Sequence, residues 1–196
     1  MLSKKIISFI LCSMIFLMSC NYHSHNEEAY NIINQNFISI IGTHAYDYNT
    51  LRPSLNMPRL VKRKSAYPLN VIDNFESIKT WENEIVNSLK KDSIKECQSY
   101  INLLKSHKND EFETLNLKKI KNAGLYKLYP IKDVPELKDN STVGVIQFSQ
   151  IISDGNFAMM VVKIQDNIKS GVEKLVLLKK ENSNWVINQE FEISVW

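Results

Sequence analysis

Between Glu27 and Gly42 the apolar residues Tyr30, Ile33, Phe37, Ile40 and Ile41 recur at the spacing of one helix face. Glu27 and Glu28 put negative charge where a helix N-terminus is positive, and Gly42 offers a stop, so the pattern predicts a first helix over 27–41. From 43 to 72 the period lapses. Pro53, Pro58 and Pro68 break the chain, and only LNVI at the end has the composition of a short strand. Asp73 with Glu76, and later Ser93 with Glu96, resemble capping pairs ahead of two further apolar stripes: Phe75, Ile78, Ile85 and Leu89, then Ile94, Cys97, Ile101 and Leu104. These predict helices near 74–90 and 94–106. The following TLNLKKIKNAG fits helix and strand equally.

The last third changes period. VGVIQFSQII (143–152), FAMMVVKIQ (157–165), VEKLVLLKK (172–180) and WVINQEFEISV (185–195) are rich in valine, isoleucine and aromatics, and SDGN, DNIKSG and ENSN separate them as turns. Short turns imply an antiparallel meander. In the last segment Trp185, Ile187, Phe191, Ile193 and Val195 share one parity, which predicts a strand with one wet face. The second and third segments are apolar on both parities, so they belong at the centre of a curved sheet covered on both sides. Helices supply one cover; a curled edge, a loop layer or a partner must supply the other. The expected class is therefore α+β, with N-terminal helices packed on a C-terminal curved four-stranded antiparallel meander: helical over 27–122 and sheet over 125–196, in one domain from 27 to 196.

The start of the chain has a different pattern. Lys4 and Lys5 precede an apolar run from Ile6 to Met18, shorter than the roughly 20 residues a spanning helix needs. It ends in Leu17-Met18-Ser19-Cys20. This LMSC resembles the lipobox of bacterial lipoproteins, with an aliphatic residue three before the cysteine and a small one directly before it. The resemblance implies a signal peptide over 1–19, a lipid such as palmitate on Cys20, a tether over 20–26, and a protein held in the cell envelope by acyl chains worth about 0.8 kcal/mol per buried methylene. Asn21, in place of the aspartate that retains such proteins at the inner membrane, implies the outer membrane. An ordinary secretory leader would want a small residue where Leu17 stands.

Removal of that leader changes the charge picture. Without Lys4 and Lys5 the 24 basic residues become 22, against 21 acidic ones, which removes any case for nucleic acid. Of the three cysteines only Cys97 stays unassigned, so no disulfide framework or cysteine zinc site is implied. His23 and His25 give two metal ligands where zinc wants three or four, and no cofactor beyond the covalent lipid is expected.

The C-terminal third also resembles small uncharacterised lipoproteins of Bacteroidota. The matching pieces are Phe148-Ser149, FAMMVVKI, Gly171, Leu177-Leu178-Lys179-Lys180, Trp185-Val186-Ile187 and Ser194-Val195-Trp196. In place of that group's glycine-cysteine turn stands DNIKSG. The resemblance implies fold and location and carries no activity.

Candidate chemistry is sparse. No G-x-S-x-G, H-E-x-x-H or phosphate-binding glycine motif occurs. His44 and Asp47 could form an imidazole–carboxylate pair for a hydrolase, or equally a helix-end histidine beside a turn aspartate. Arg59, Lys62, Arg63 and Lys64 form a basic patch suited to anionic headgroups or an acidic partner, and equally a solvated loop. Cys97 reads as a buried small hydrophobe, His107 as a solvated histidine near a helix C-terminus, and Tyr126 and Tyr129 as an aromatic stripe that packs in the core or lines a groove. The reading is an envelope module that binds a protein or a small apolar ligand, or associates structurally, without catalysis; a hydrolase using His44 and Asp47 is the competing one.

Overall fold

A computed structural model describes residues 27–42, 67–91, 94–107, 114–131, 144–167 and 170–196. Helix α1 spans 27–41, at the predicted place. Strands β1 (Tyr67–Ile72), β2 (Tyr126–Ile131), β3 (Val145–Phe148), β4 (Ile152–Ser153), β5 (Phe157–Asn167), β6 (Ser170–Glu181) and β7 (Asn184–Val195) form one sheet in the order β2-β1-β3-β5-β6-β7, with β4 also paired to β5. The class is α+β, but the sheet is a mixed one of seven strands rather than a four-stranded antiparallel meander. β1 is parallel to both β2 and β3 and contains LNVI, the short stretch of strand composition within the otherwise helical N-terminal region. A parallel pair needs a long crossover, here through helices α2 (Glu82–Lys91) and α3 (Cys97–Ser106), and so leaves no local turn signal.

Helix α2 starts later than the Asp73–Glu76 pair suggests. Asn74 bridges to Thr114 and Glu76 to Ser149, so the chain there is extended. The turn begins instead at Ser77, whose hydroxyl accepts from Lys79 N ahead of a short 3-10 helix at Ile78–Trp81. As a result Phe75 points into one core and Ile78, Trp81, Ile85 and Leu89 into the other.

Those two cores answer the question of the second cover. Ala158, Met160 and Val162 of β5 and Val176 and Leu178 of β6 pack under α1 with Ile33, Phe37 and Ile40. The opposite parity, Met159, Val161, Leu175 and Leu177, packs under α2 and α3 with Ile85, Leu89, Tyr100 and Leu104. Both covers are helices of this chain. Complete burial of each such valine, leucine, isoleucine, phenylalanine or methionine contributes roughly 1.5–3 kcal/mol, which makes the double-sided stretch of β5 and β6 the energetic centre of the fold.

β7 departs from simple alternation. Its register on β6 jumps between Leu177↔Gln189 and Leu178↔Ile187, leaving Asn188 as a bulge. The bulge exchanges the faces: Trp185 and Ile187 join the α1 core, whereas Phe191 and Ile193 join the α2/α3 core, although all four share one parity in the sequence. On the α2/α3 face Lys163 Nζ lies 2.8 Å from Glu76 Oε2 and 3.5 Å from Glu173 Oε1, and Trp81 Nε1 donates to Glu173 Oε2 at 3.1 Å. This cluster ties the start of the helical layer to the sheet.

Candidate functional site

The side of α1 turned away from the sheet forms one wall of an open groove of about 560 Å³. Glu27, Asn31 and Asn34 recur along that wall at helical spacing, and the opposite wall is the 3-10 helix Leu117–Lys119 with Lys121. Leu117 and Ile120 turn inward to the α1 core, which leaves Lys118 and Lys121 on the exposed side. The Asn116 side chain accepts from Lys118 N at 3.1 Å and starts the turn.

Asn34 holds the two walls together. Its Oδ1 accepts from Lys121 N at 2.6 Å, its Nδ2 donates to Lys119 O at 2.9 Å, and its own carbonyl accepts from Asn122 Nδ2 at 3.0 Å. Tyr30 Oη accepts from Asn116 N at 2.7 Å. Lys119 Nζ reaches Glu27 Oε1 at 2.7 Å and lies 4.9 Å from the Tyr30 ring centroid; the Glu27 carboxylate raises its pKa. Glu28 is likewise occupied, by the Ser153 hydroxyl at 2.6 Å and Lys180 Nζ at 3.4 Å. Both carboxylates of the groove are therefore neutralised, and among the described residues Lys118 and Lys121 have no ion-pair partner.

Cys20, His23, His25, His44, Asp47, Arg59, Lys62, Arg63 and Lys64 lie outside the described residues. Cys97 is a free thiol, partly buried against the α2/α3 core. His107 is half-buried and caps α3 through its backbone N–H to Leu103 O, and its Nε2 is buried with no partner among the described residues. Tyr126 and Tyr129 are not one stripe: three residues apart on a strand, they face opposite sides. Tyr126 is buried and donates to Gly42 O at 2.9 Å, whereas Tyr129 is 39% exposed beneath Lys127 Nζ.

Sequence reasoning missed the groove. Its one signal is LKKIK (117–121), a charge run inside a segment that fits both helix and strand. Asn34 carries no signal at all, because its partners lie more than 80 residues away. Among the described residues no group of three or more metal-ligating side chains is gathered, and no helix is long and apolar enough to cross a membrane. No protein-family model, curated protein or solved structure matches the chain.

Proposed function

We propose that this protein is a lipoprotein of the bacterial cell envelope, cleaved before Cys20 and held by lipid on that residue, whose folded part acts by binding or structural association rather than by catalysis. The observation that carries the reading is the segment from Lys4 to Cys20: a basic start, an apolar run too short to span a bilayer, and the ending LMSC. The position of the fold supports it, since α1 begins seven residues beyond Cys20 and leaves only a short link to an anchor.

The packing favours binding on the outside of the fold. Met160, Val162, Val176 and Leu178, which would line a pocket between sheet and helix, are fully buried against α1. Among the described residues, the surface offers the lysine-rimmed groove and the exposed ends of the sheet at Leu125, Tyr129, Val195 and Trp196. The association is accordingly with a surface or a partner. The outer membrane is the proposed destination, from Asn21.

Intact-mass measurement on protein purified from membranes tests the anchor. A chain beginning at Cys20 with added diacylglycerol and fatty acid is expected, and Cys20→Ser should abolish both labelling by palmitate and membrane retention. An unacylated product, or one that still begins at Met1, would overturn the reading.

A further inference from the structure

The groove begins close in sequence to the proposed anchor. Cys20 precedes Glu27 by seven residues, so even a fully extended link reaches at most about 25 Å, and Glu27 is itself a groove residue. Glu27 to Asn34 covers only about 10 Å of helix. A lipid on Cys20 therefore keeps both walls of the groove within reach of the bilayer surface. Electrostatic attraction at such a surface acts over about 8 Å at physiological salt, so only groups on the facing side can exploit it.

The charge of the groove selects one kind of surface. Glu27 is paired with Lys119, and Glu28 with Lys180 and Ser153, so each carboxylate is offset by a cation beside it. Lys118 and Lys121 project from the opposite wall, both exposed, with their backbone fixed by Asn116 and Asn34. Two ammonium groups on a braced turn, beside the amides of Asn31 and Asn34, suit phosphodiester oxygens.

We infer that Lys118 and Lys121 dock the groove onto the anionic phospholipid headgroups of the membrane that holds the Cys20 lipid, fixing the orientation of the domain on that surface. This rests on the lipid-anchor reading. It concerns a different set of residues from the basic run Arg59 to Lys64.

Lysine footprinting with an acetylating reagent tests it, on the acylated protein reconstituted in vesicles of phosphatidylcholine alone or with about one third phosphatidylglycerol. Lys90 and Lys91, exposed at the end of α2 on the other face of the sheet, serve as internal references. Each lysine near an anionic surface contributes about a fivefold preference, corresponding to about 1 kcal/mol. Labelling of Lys118 and Lys121 relative to the references should therefore fall about fivefold or more with phosphatidylglycerol, stay unchanged with phosphatidylcholine, and recover at roughly 0.5 M salt. Lys118→Glu should restore labelling of Lys121. Equal labelling on the two vesicles, or protection on both, in protein whose mass shows the acyl chains overturns the docking inference alone. A mass without acyl chains overturns the anchor reading beneath it.

Discussion

The indole of Trp196 lies directly on Gly171. A Cβ at position 171 would sit 2.4 Å from Trp196 Cζ2 and 2.7 Å from Cε2, while the two backbones exchange hydrogen bonds at 3.0 and 3.2 Å. The glycine is there because the ring occupies its side-chain space. Gly171→Ala should displace the half-exposed Trp196 ring at a cost of about 0.5–1 kcal/mol, seen as a lower urea midpoint and a further red shift in emission. In Gly171→Ala/Trp196→Ala the clash is gone, so the double variant should be less destabilised than the sum of the singles. Additive effects would show that the contact is not what requires the glycine.

Tyr100 supplies a pH signature. Its hydroxyl is buried, donates to Leu178 O at 3.1 Å and accepts from Asn188 Nδ2 at 3.3 Å, and burial pushes its pKa up to about 12 from 10.0. The folded state therefore retains a proton that the unfolded state loses. Stability from this group is complete below pH 10 and declines as pH rises toward 12, by at most about 1.4 kcal/mol per pH unit. Urea unfolding from pH 9 to 11.5 should show this slope in the native protein, and a shallower one in Tyr100→Phe. Equal slopes would mean that Tyr100 ionises normally.

What the sequence revealed follows from the range of the forces involved. α1 was legible because its period, its acidic start and Gly42 are all local, and β5 and β6 because apolar residues on both parities require two covers. The nature of the second cover was not legible, since it depends on which side α2 and α3 cross. Nor was the face exchange in β7: Asn188 is an ordinary polar position until the register with β6 is known. The groove was hidden for a similar reason. Lys118 and Lys121 become a site only when Asn34 and Tyr30 fix the turn that carries them.

The β6–β7 turn is built from residues that fit it unequally. Asn182 has φ +47 and Ser183 φ +70, so both sit in the left-handed region, which asparagine tolerates better than serine. Ser183→Gly should relieve the strain and stabilise the protein by about 0.5–1 kcal/mol, raising the melting temperature by a few degrees in calorimetry. Asn182→Gly should gain less. A fall in melting temperature for Ser183→Gly would show that the added freedom of the unfolded chain outweighs the strain.

β7 is the last strand in the sheet order, and α1 closes part of its free edge. Gln35 Oε1 accepts from Trp185 N at 2.6 Å, and Asn36 Nδ2 donates to Trp185 O at 3.0 Å and to Ile32 O at 3.1 Å. The Asn36 amide thus satisfies a strand carbonyl in a place that water does not reach, because Asn36 is 6% exposed and Trp185 2%. Asn36→Ala should cost about 1–3 kcal/mol by leaving Trp185 O unpaired, and should loosen the part of the edge that α1 covers. Asn36→Asp should cost more at neutral pH, since a buried carboxylate would face two carbonyl oxygens, and should recover part of the loss on acidification as the acid becomes a donor. Urea midpoints at pH 7 and pH 5 compare the two variants, and light scattering reports new association through the edge. If Asn36→Asp were as stable as the native protein at pH 7, the amide would not be the group that seals β7 against α1.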